Sequence, residues 1–181
     1  MKKLGLLLAL AFVAPQVRVL AQETATASTE EKIEWLDIEE AQKRAKKKRK
    51  KIFIDVYTDW CGWCKVMDKK TFSHPEIAAY LNKNFYSVKM NAEKRDNIIF
   101  NEELYKFNEQ GKSHNLAIKL LNGQMSYPST VYLDEKLNVI QAVPGFHNAK
   151  DFDAILHYFS ENHYKKTAWE KYKAEFQSKI Q

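Results

Sequence analysis

The sequence of 181 residues is poor in glycine, proline and cysteine, which number five, four and two. So little glycine and proline excludes a collagen-like or low-complexity chain. Hydrophobic residues make up 45% of the sequence, too many for a fully disordered chain. Two cysteines are too few for the disulfide framework of a small secreted scaffold. The composition therefore indicates a domain with a hydrophobic core.

The sequence also lacks an apolar run long enough to cross a membrane as a helix. Such a span needs about 20 residues, and the longest run, Leu4–Ala14, has 11. Lys2 and Lys3 precede this run, and Val19-Leu20-Ala21 follow it after a polar stretch. This order of charge, apolar run and small residues predicts a cleavable secretory signal peptide over residues 1–21. A buried N-terminal helix is the alternative interpretation.

Cleavage of the signal peptide would make the mature protein periplasmic or secreted, without stable membrane insertion. The next residues, 22–31, are rich in Thr, Ser, Ala and Glu and predict a flexible leader. Cleavage would remove three cations and lower the net charge below the +6 of the whole sequence. An oxidising compartment would let a cysteine pair persist as a disulfide.

A run of cations at residues 43–51 has eight basic residues in nine positions. Nucleic-acid binding would require aromatic side chains that stack on bases, or a known motif. The run contains no aromatic residue. Cations are favourable at the C-terminal end of a helix, where the helix dipole is negative. We therefore interpret the run as a solvated helix end and expect no nucleic-acid partner.

Short apolar, β-branched runs alternate with helical patterns along the sequence. Strands are predicted at 33–35, 52–57, 85–90, 129–133 and 138–142. Helices are predicted from residue 37, from residue 61, and at 77–81, 97–108, 116–121, 149–159 and 169–176. The alternation predicts an α/β fold with a central mixed sheet of four to five strands and helices on both faces.

The strongest chemical signal is Cys61-Gly62-Trp63-Cys64, which follows a predicted strand and opens a predicted helix. A two-residue spacer on one helical turn brings both sulfurs within bonding reach. Cys61 would lie beside unpaired backbone N–H groups and the positive end of the helix dipole, which favour its thiolate. That thiolate attacks a substrate disulfide, and Cys64 resolves the mixed disulfide. The chemistry requires no metal or organic cofactor.

Two other interpretations of the cysteine pair stay open: a structural disulfide and half of a metal site. Closing a four-residue loop would stabilise the fold by only about 2 kcal/mol. A structural zinc site needs four ligands, and the sequence has no second cysteine pair. The histidines show no spacing that would complete such a site. We therefore favour redox chemistry over both alternatives.

Residues 55–65, Asp-Val-Tyr-Thr-Asp-Trp-Cys-Gly-Trp-Cys-Lys, resemble the active-site segment of thioredoxin-like proteins. The continuation at 70–76, Lys-Thr-Phe-Ser-His-Pro-Glu, is most similar to the periplasmic C-terminal domain of the thiol reductase DsbD and its single-domain relatives. The resemblance extends from Ile33 to Phe159. It implies a thioredoxin-like domain over residues 32–162. The helical pattern of Trp169, Tyr172 and Phe176 predicts a C-terminal helical extension over residues 163–181, which is additional to the family's domain.

The resemblance implies roles for five further residues. Thioredoxins bury an acid, six residues before the first cysteine, that moves the proton of the second cysteine, and Asp55 holds that position. Lys89 matches a lysine that neighbours this acid. Tyr127 and Pro128 match a loop whose cis proline faces the cysteines and offers its backbone to substrate. Gly145 matches a glycine that lets substrate approach. An aspartate bonded to backbone, an exposed lysine and ordinary turns are the alternative interpretations.

The residues around Cys61 also differ from thioredoxin. Trp60, Gly62 and Trp63 are predicted to form a substrate-contact surface, although core packing is the alternative for both tryptophans. Trp63 replaces the proline of thioredoxin, so the thioredoxin reduction potential is not transferable. The interval before Pro128 is longer than in a minimal thioredoxin, and residues 97–121 are predicted to form an added helical hairpin.

These observations predict an exported thiol–disulfide oxidoreductase that reduces or exchanges disulfides. Its partners would be disulfide-containing exported proteins and an upstream thiol donor, such as a membrane thiol reductase. A disulfide oxidase or isomerase, a non-catalytic binding module on the same scaffold, and a metallochaperone are the alternatives.

Overall fold

The computed structural model describes residues 31–180 of the chain. The predicted signal peptide, and the predicted leader up to residue 30, lie outside the described residues. Within the described part of the chain, no helix combines the length and apolar character that crossing a bilayer requires.

Nine strands and six α-helices occur in the described residues. The strands are β1 Trp35–Leu36, β2 Lys51–Tyr57, β3 Phe85–Asn91, β4 Ile98–Phe100, β5 Glu103–Tyr105, β6 Phe107–Asn108, β7 Ser113–His114, β8 Ser129–Leu133 and β9 Val139–Pro144. The helices are α1 Ile38–Lys47, α2 Gly62–Met67, α3 Pro75–Asn84, α4 Asn115–Leu120, α5 Ala149–Ser160 and α6 Trp169–Glu175. A π-helical turn, Asp68–Phe72, continues α2.

The central sheet contains five strands in the order β1-β3-β2-β8-β9. β1 and β2 each pair in parallel with β3. β8 runs antiparallel to β2, and β9 runs antiparallel to β8. The predicted mixed sheet is confirmed, although its first strand lies at residues 35–36 and not at 33–35.

β2 is buried because its side chains alternate between two hydrophobic cores, one on each face of the sheet. Ile54 and Val56 face the core that α1 and α4 cover. Phe53 faces the other core, which contains residues of α3 and α5 together with Met67 of α2. Asp55 follows on the Phe53 face of the strand. The pleat therefore directs this carboxyl group to the side of the sheet on which the cysteine helix lies.

The basic run at residues 43–51 is divided between α1 and β2. Arg44 near the end of α1 forms ion pairs with Glu34 and Glu40. Lys51 is buried, and its Nζ lies 2.7 Å from Oε1 of a glutamate in the turn after β8. The predicted helix end is confirmed at Lys47, and local acidic partners neutralise part of the run.

The predicted helical hairpin over residues 97–121 is wrong in its first part. β4 and β5 form one antiparallel hairpin, β6 and β7 form a second, and α4 alone is helical. Asn101 and Glu102 have φ of 50° and 68°, the conformation of a tight two-residue hairpin turn. Ile99 is exposed whereas Phe100 is buried, so side chains alternate as in a strand.

The C-terminal extension folds back onto α5. The ring of Tyr158 lies 5.2 Å from the ring of Trp169 and 5.1 Å from that of Tyr172. Tyr172 and Ile180 are both buried in the core that also contains Phe53. The predicted additional helix is confirmed, and it completes the core on the face of the sheet where α2 lies.

Candidate active site

Cys61 and Cys64 form a disulfide at the beginning of α2. After β2, the N–H of Cys61 donates to the carbonyl oxygen of Thr58 at 3.1 Å. Cys61 is the N-cap of α2, and its Sγ accepts a hydrogen bond from the N–H of Cys64 at 3.0 Å. Unpaired N–H groups and the positive helix end would stabilise a thiolate on Cys61 after reduction. Both cysteines are 4% exposed.

The two tryptophans next to the cysteines in the sequence each contact a further aromatic ring. The ring of Trp60 lies 5.8 Å from that of Tyr127, and the ring of Trp63 lies 5.4 Å from that of Phe146. Trp60 and Trp63 are 67% and 62% exposed, so the alternative that they pack in the core is wrong. Nε1 of Trp60 also donates to Oε1 of Glu93 at 2.9 Å. We call Trp60, Trp63, Tyr127 and Phe146 the aromatic rim.

Two backbone segments complete this region. The Tyr127–Pro128 peptide bond is cis, as the family resemblance implies. The N–H of Gly145 donates to the carbonyl oxygen of Pro128 at 2.8 Å. Gly145 has a φ of 96°, where side chains other than glycine are strained. A Cβ at Gly145 would meet no atom within 4 Å, so the backbone conformation, and not crowding, favours glycine.

Asp55 is a buried acid on the strand that leads to the cysteines, with 1% exposure. Burial raises the pKa of its carboxyl group from 3.8 to about 6, although the nearby Lys89 charge acts in the opposite direction. The β2–β3 register places the two residues side by side, and Lys89 Nζ lies 3.2 Å from Asp55 Oδ2. A carboxyl group with this pKa can accept a proton at neutral pH.

Asp68, which the sequence analysis missed, binds the same lysine. It begins the π-helical turn and forms an ion pair with Nζ of Lys89. Burial alone would lower the pKa of Lys89, but the charges of Asp55 and Asp68 outweigh it and raise this pKa. Asp68 lies four residues after Cys64, one helical turn along the same face. That spacing was the signal that could have found it.

Asp68→Asn is expected to lower the pKa of Asp55, whereas Lys89→Gln is expected to raise it. The negative charge of Asp68 disfavours the Asp55 carboxylate, and the positive charge of Lys89 favours it. NMR titration of the Asp55 carboxyl carbon in the oxidised protein measures both changes. Asp59→Asn, at an exposed neighbouring acid, is the control. Shifts of the same sign in the first two variants would contradict this arrangement.

The structure gathers the predicted site residues around the ends of β2, β3, β8 and β9 and the start of α2. They are Asp55, Trp60, Cys61, Gly62, Trp63, Cys64, Lys89, Tyr127, Pro128 and Gly145. Structure alone adds Asp68, Glu93 and Phe146. Phe146 directly follows Gly145, so its position next to a predicted site residue could have identified it. Glu93 has no recognisable pattern in the sequence.

Several curated proteins are similar to parts of this chain. A 60-residue segment is 40% identical to Spermatogenesis-associated protein 20 of Rattus norvegicus, covering 33% of this chain and 8% of that protein. A 50-residue segment is 40% identical to the Thiol:disulfide interchange protein DsbD of Vibrio vulnificus, covering 26% and 8%. The matches thus span less than a tenth of the length of either relative.

The fold also resembles solved structures. A thioredoxin-fold protein from Helicobacter pylori superposes with a TM-score of 0.55 at 16% sequence identity. The match covers 69% of this chain and 83% of that chain. At this level of identity the similarity concerns the fold alone.

A family model agrees with the fold and covers most of the sequence. The model described as "Thioredox_DsbH: Protein of unknown function, DUF255" matches residues 20–180. This range contains both cysteines, the cis-proline loop and all strands of the central sheet. The chain therefore belongs to the thioredoxin-like Thioredox_DsbH family.

Proposed function

We propose that this chain is an exported thiol–disulfide oxidoreductase that reduces or exchanges disulfides in exported proteins. The observation that carries the proposal is the Cys61–Cys64 pair at the start of α2. A helix N-terminus lowers the pKa of a thiol, and a second cysteine one turn away can resolve a mixed disulfide. The buried Asp55 and the cis Tyr127–Pro128 bond support this interpretation.

The proposed reaction begins with the reduced cysteine pair. The Cys61 thiolate attacks one sulfur of a client disulfide, and the other client sulfur leaves as a thiolate. Asp55 takes up the proton of Cys64, whose sulfur then attacks the Cys61 sulfur and releases the second client thiolate. Two electrons pass from the cysteine pair to the client, whose thiolates take up protons. The chain is left with the Cys61–Cys64 disulfide.

The aromatic rim and the neighbouring loops provide the client-binding surface in this proposal. Exposed Trp60 and Trp63 offer apolar area beside Cys61. The loop at Tyr127–Pro128 offers its backbone to an extended client segment by strand addition. Gly62 and Gly145 leave open space, because a Cβ at either position would meet no atom within 4 Å.

A donor must return the oxidised pair to the dithiol form. We propose an upstream thiol donor of the membrane thiol-reductase class, and the segment similar to DsbD supports an interchange partner. Thiols alone carry the electrons in this scheme, so no metal or organic cofactor takes part. Export rests on the signal-peptide pattern of residues 1–21, and N-terminal sequencing of the protein recovered outside the cytoplasm tests it.

Cys64→Ser is expected to accumulate mixed disulfides with exported proteins, because the resolving thiol is absent. Expression of the full chain, followed by non-reducing electrophoresis and mass spectrometry of the trapped species, measures this. The double variant Cys61→Ser with Cys64→Ser is the matched control and should trap nothing. If Cys64→Ser traps no partner, a non-catalytic binding module becomes the better interpretation.

The reduction potential of the cysteine pair tests the proposed direction. Reductants of this fold have potentials of about −270 mV, whereas strong oxidants have potentials of about −120 mV. We expect a value toward the reducing end, determined by equilibration with glutathione or dithiothreitol buffers. A value at the oxidising end would replace the reductase by an oxidase while leaving the cysteine chemistry intact.

A further inference from the structure

Thr71 lies in the π-helical turn that continues the cysteine helix, and it is fully buried. Its Oγ1 donates a hydrogen bond to the carbonyl oxygen of His147 at 2.6 Å. A π-helical turn is wider than an α-helical one and is frequent at functional sites. The same turn carries Asp68, which binds Lys89. The turn that continues α2 therefore contacts Lys89 through Asp68, and it contacts the loop between β9 and α5 through Thr71.

That loop, residues 145–148, joins β9 to α5 and lies beyond the paired residues of the sheet. Its first residue is held by the hydrogen bond to the carbonyl of Pro128. Its last residue, Asn148, caps α5 by accepting the N–H of Asp151 at 2.9 Å. Between these two ends, the carbonyl oxygen of His147 accepts the hydrogen bond from Thr71 in the turn that continues the cysteine helix.

Phe146 lies in this same stretch, next to the carbonyl that Thr71 binds. Its ring is the contact partner of Trp63 in the aromatic rim. Trp63 belongs to α2, and Thr71 belongs to the turn that follows α2. The loop is thus joined to the cysteine helix twice, once by an aromatic contact at the surface and once by a buried hydrogen bond below it.

We propose that Thr71 is a positioning residue that holds Phe146 against Trp63 so that the aromatic rim can bind polypeptide clients. The inference rests on the proposed function and extends it to a buried hydroxyl that acts through the His147 carbonyl. A client without flanking side chains would not use the rim. Loss of the hydroxyl therefore affects binding of polypeptides and leaves the sulfur chemistry unchanged.

Thr71→Val keeps the shape of the side chain and removes the hydroxyl. We expect the KM for insulin reduction to rise roughly three- to tenfold, the effect of about one hydrogen bond. The kcat, and the rate with a small disulfide such as hydroxyethyl disulfide, should stay within about twofold of the wild type. A change in KM alone indicates lost binding and unchanged chemistry.

Two further variants separate positioning from packing. Thr71→Ser keeps the hydroxyl but deletes a buried methyl group, so it should lower thermal stability while retaining the wild-type KM. Ser73→Ala removes a nearby hydroxyl that donates to the backbone carbonyl oxygen of Lys69 at 2.6 Å, and it should leave the KM unchanged. An unchanged KM in Thr71→Val, or an equal rise in Thr71→Ser, would overturn the inference.

Amide hydrogen exchange of the oxidised protein tests the same role without any activity assay. The Gly145 N–H should exchange at least about threefold faster in Thr71→Val than in the wild type or in Ser73→Ala, because the loop opens more readily. Equal exchange rates in all three proteins would overturn the inference. If the wild type reduces neither insulin nor the small disulfide, the proposed function fails, and the exchange rates still decide the role of Thr71.

Discussion

Cys61→Ser is expected to lower insulin reduction by the chain at least about a thousandfold, to the uncatalysed background. A serine hydroxyl does not ionise near neutral pH and cannot replace the thiolate that attacks the client disulfide. The placement of Cys61 at the N-cap of α2 is the physical basis for this dependence on one sulfur atom. The assay follows insulin precipitation with dithiothreitol as electron donor.

The control for this prediction must separate lost chemistry from lost stability. The disulfide of the oxidised protein closes a four-residue loop, worth about 2 kcal/mol on the chain-entropy estimate. The variant should therefore be compared with the reduced wild type, which also lacks that bond, by urea unfolding. Equal unfolding midpoints together with retained insulin reduction in Cys61→Ser would refute the assignment of Cys61 as nucleophile.

Asp55→Asn is expected to stabilise the protein at pH 8 by up to about 3 kcal/mol, while slowing resolution of the mixed disulfide. The stabilisation follows from a pKa raised from 3.8 to about 6, at about 1.4 kcal/mol for each unit. The wild type must bury a carboxylate whose Oδ1 has no hydrogen-bond partner among the described residues. Burying a neutral amide costs less than burying a carboxylate.

The pH dependence of this effect has a definite sign. The folded protein binds the Asp55 proton more tightly than the unfolded chain does, so its contribution is fully present below pH 4. This contribution is lost as the pH rises through about 6, the pKa of the folded state. The stability difference between Asp55→Asn and the wild type should therefore grow from about pH 4, pass through pH 6 and level off about one pH unit above it.

Urea unfolding of the oxidised proteins at several pH values measures this difference. Asp59→Asn removes one carboxylate from an exposed position nearby and should show no comparable rise. A wild type more stable than Asp55→Asn at pH 8 would show that the Lys89 ion pair outweighs the burial of the carboxylate.

The rate at which the wild type resolves the mixed disulfide should also depend on pH. It should increase as the pH rises through about 6, because Asp55 then loses its proton and can accept one from Cys64.

The sequence predicted the elements whose signals are local. The β-branched run of β2, the cysteine pair at the start of α2 and the amphipathic pattern of α5 all lie within one short window. Each element was therefore predicted with bounds close to those observed. The contact between Asp55 and Lys89 came from the family resemblance, since no local pattern joins residues on separate strands.

The parts that sequence reasoning missed depend on distant contacts or on backbone conformations of single residues. Some apolar residues of 97–108 are three or four positions apart, such as Phe100, Leu104 and Phe107, which is also the spacing of a helix. Positive φ at Asn101 and Glu102 decides between the two structures. In the π-helical turn, Asp68 and Thr71 contact Lys89 and His147, which lie 21 and 76 residues further along the sequence. Signal-peptide cleavage and the roles of the site residues stay predictions.

The fold-back of the last helix has a practical consequence for the boundaries of any recombinant form. A chain ending at Ser160 would expose the aromatic side of α5 to solvent, because Tyr172 and Ile180 pack in the core that contains residues of α5. Exposed aromatic surface of this kind promotes aggregation of the folded protein. Fragments trimmed to the minimal thioredoxin length are therefore poor substitutes for a chain that includes residues 161–180.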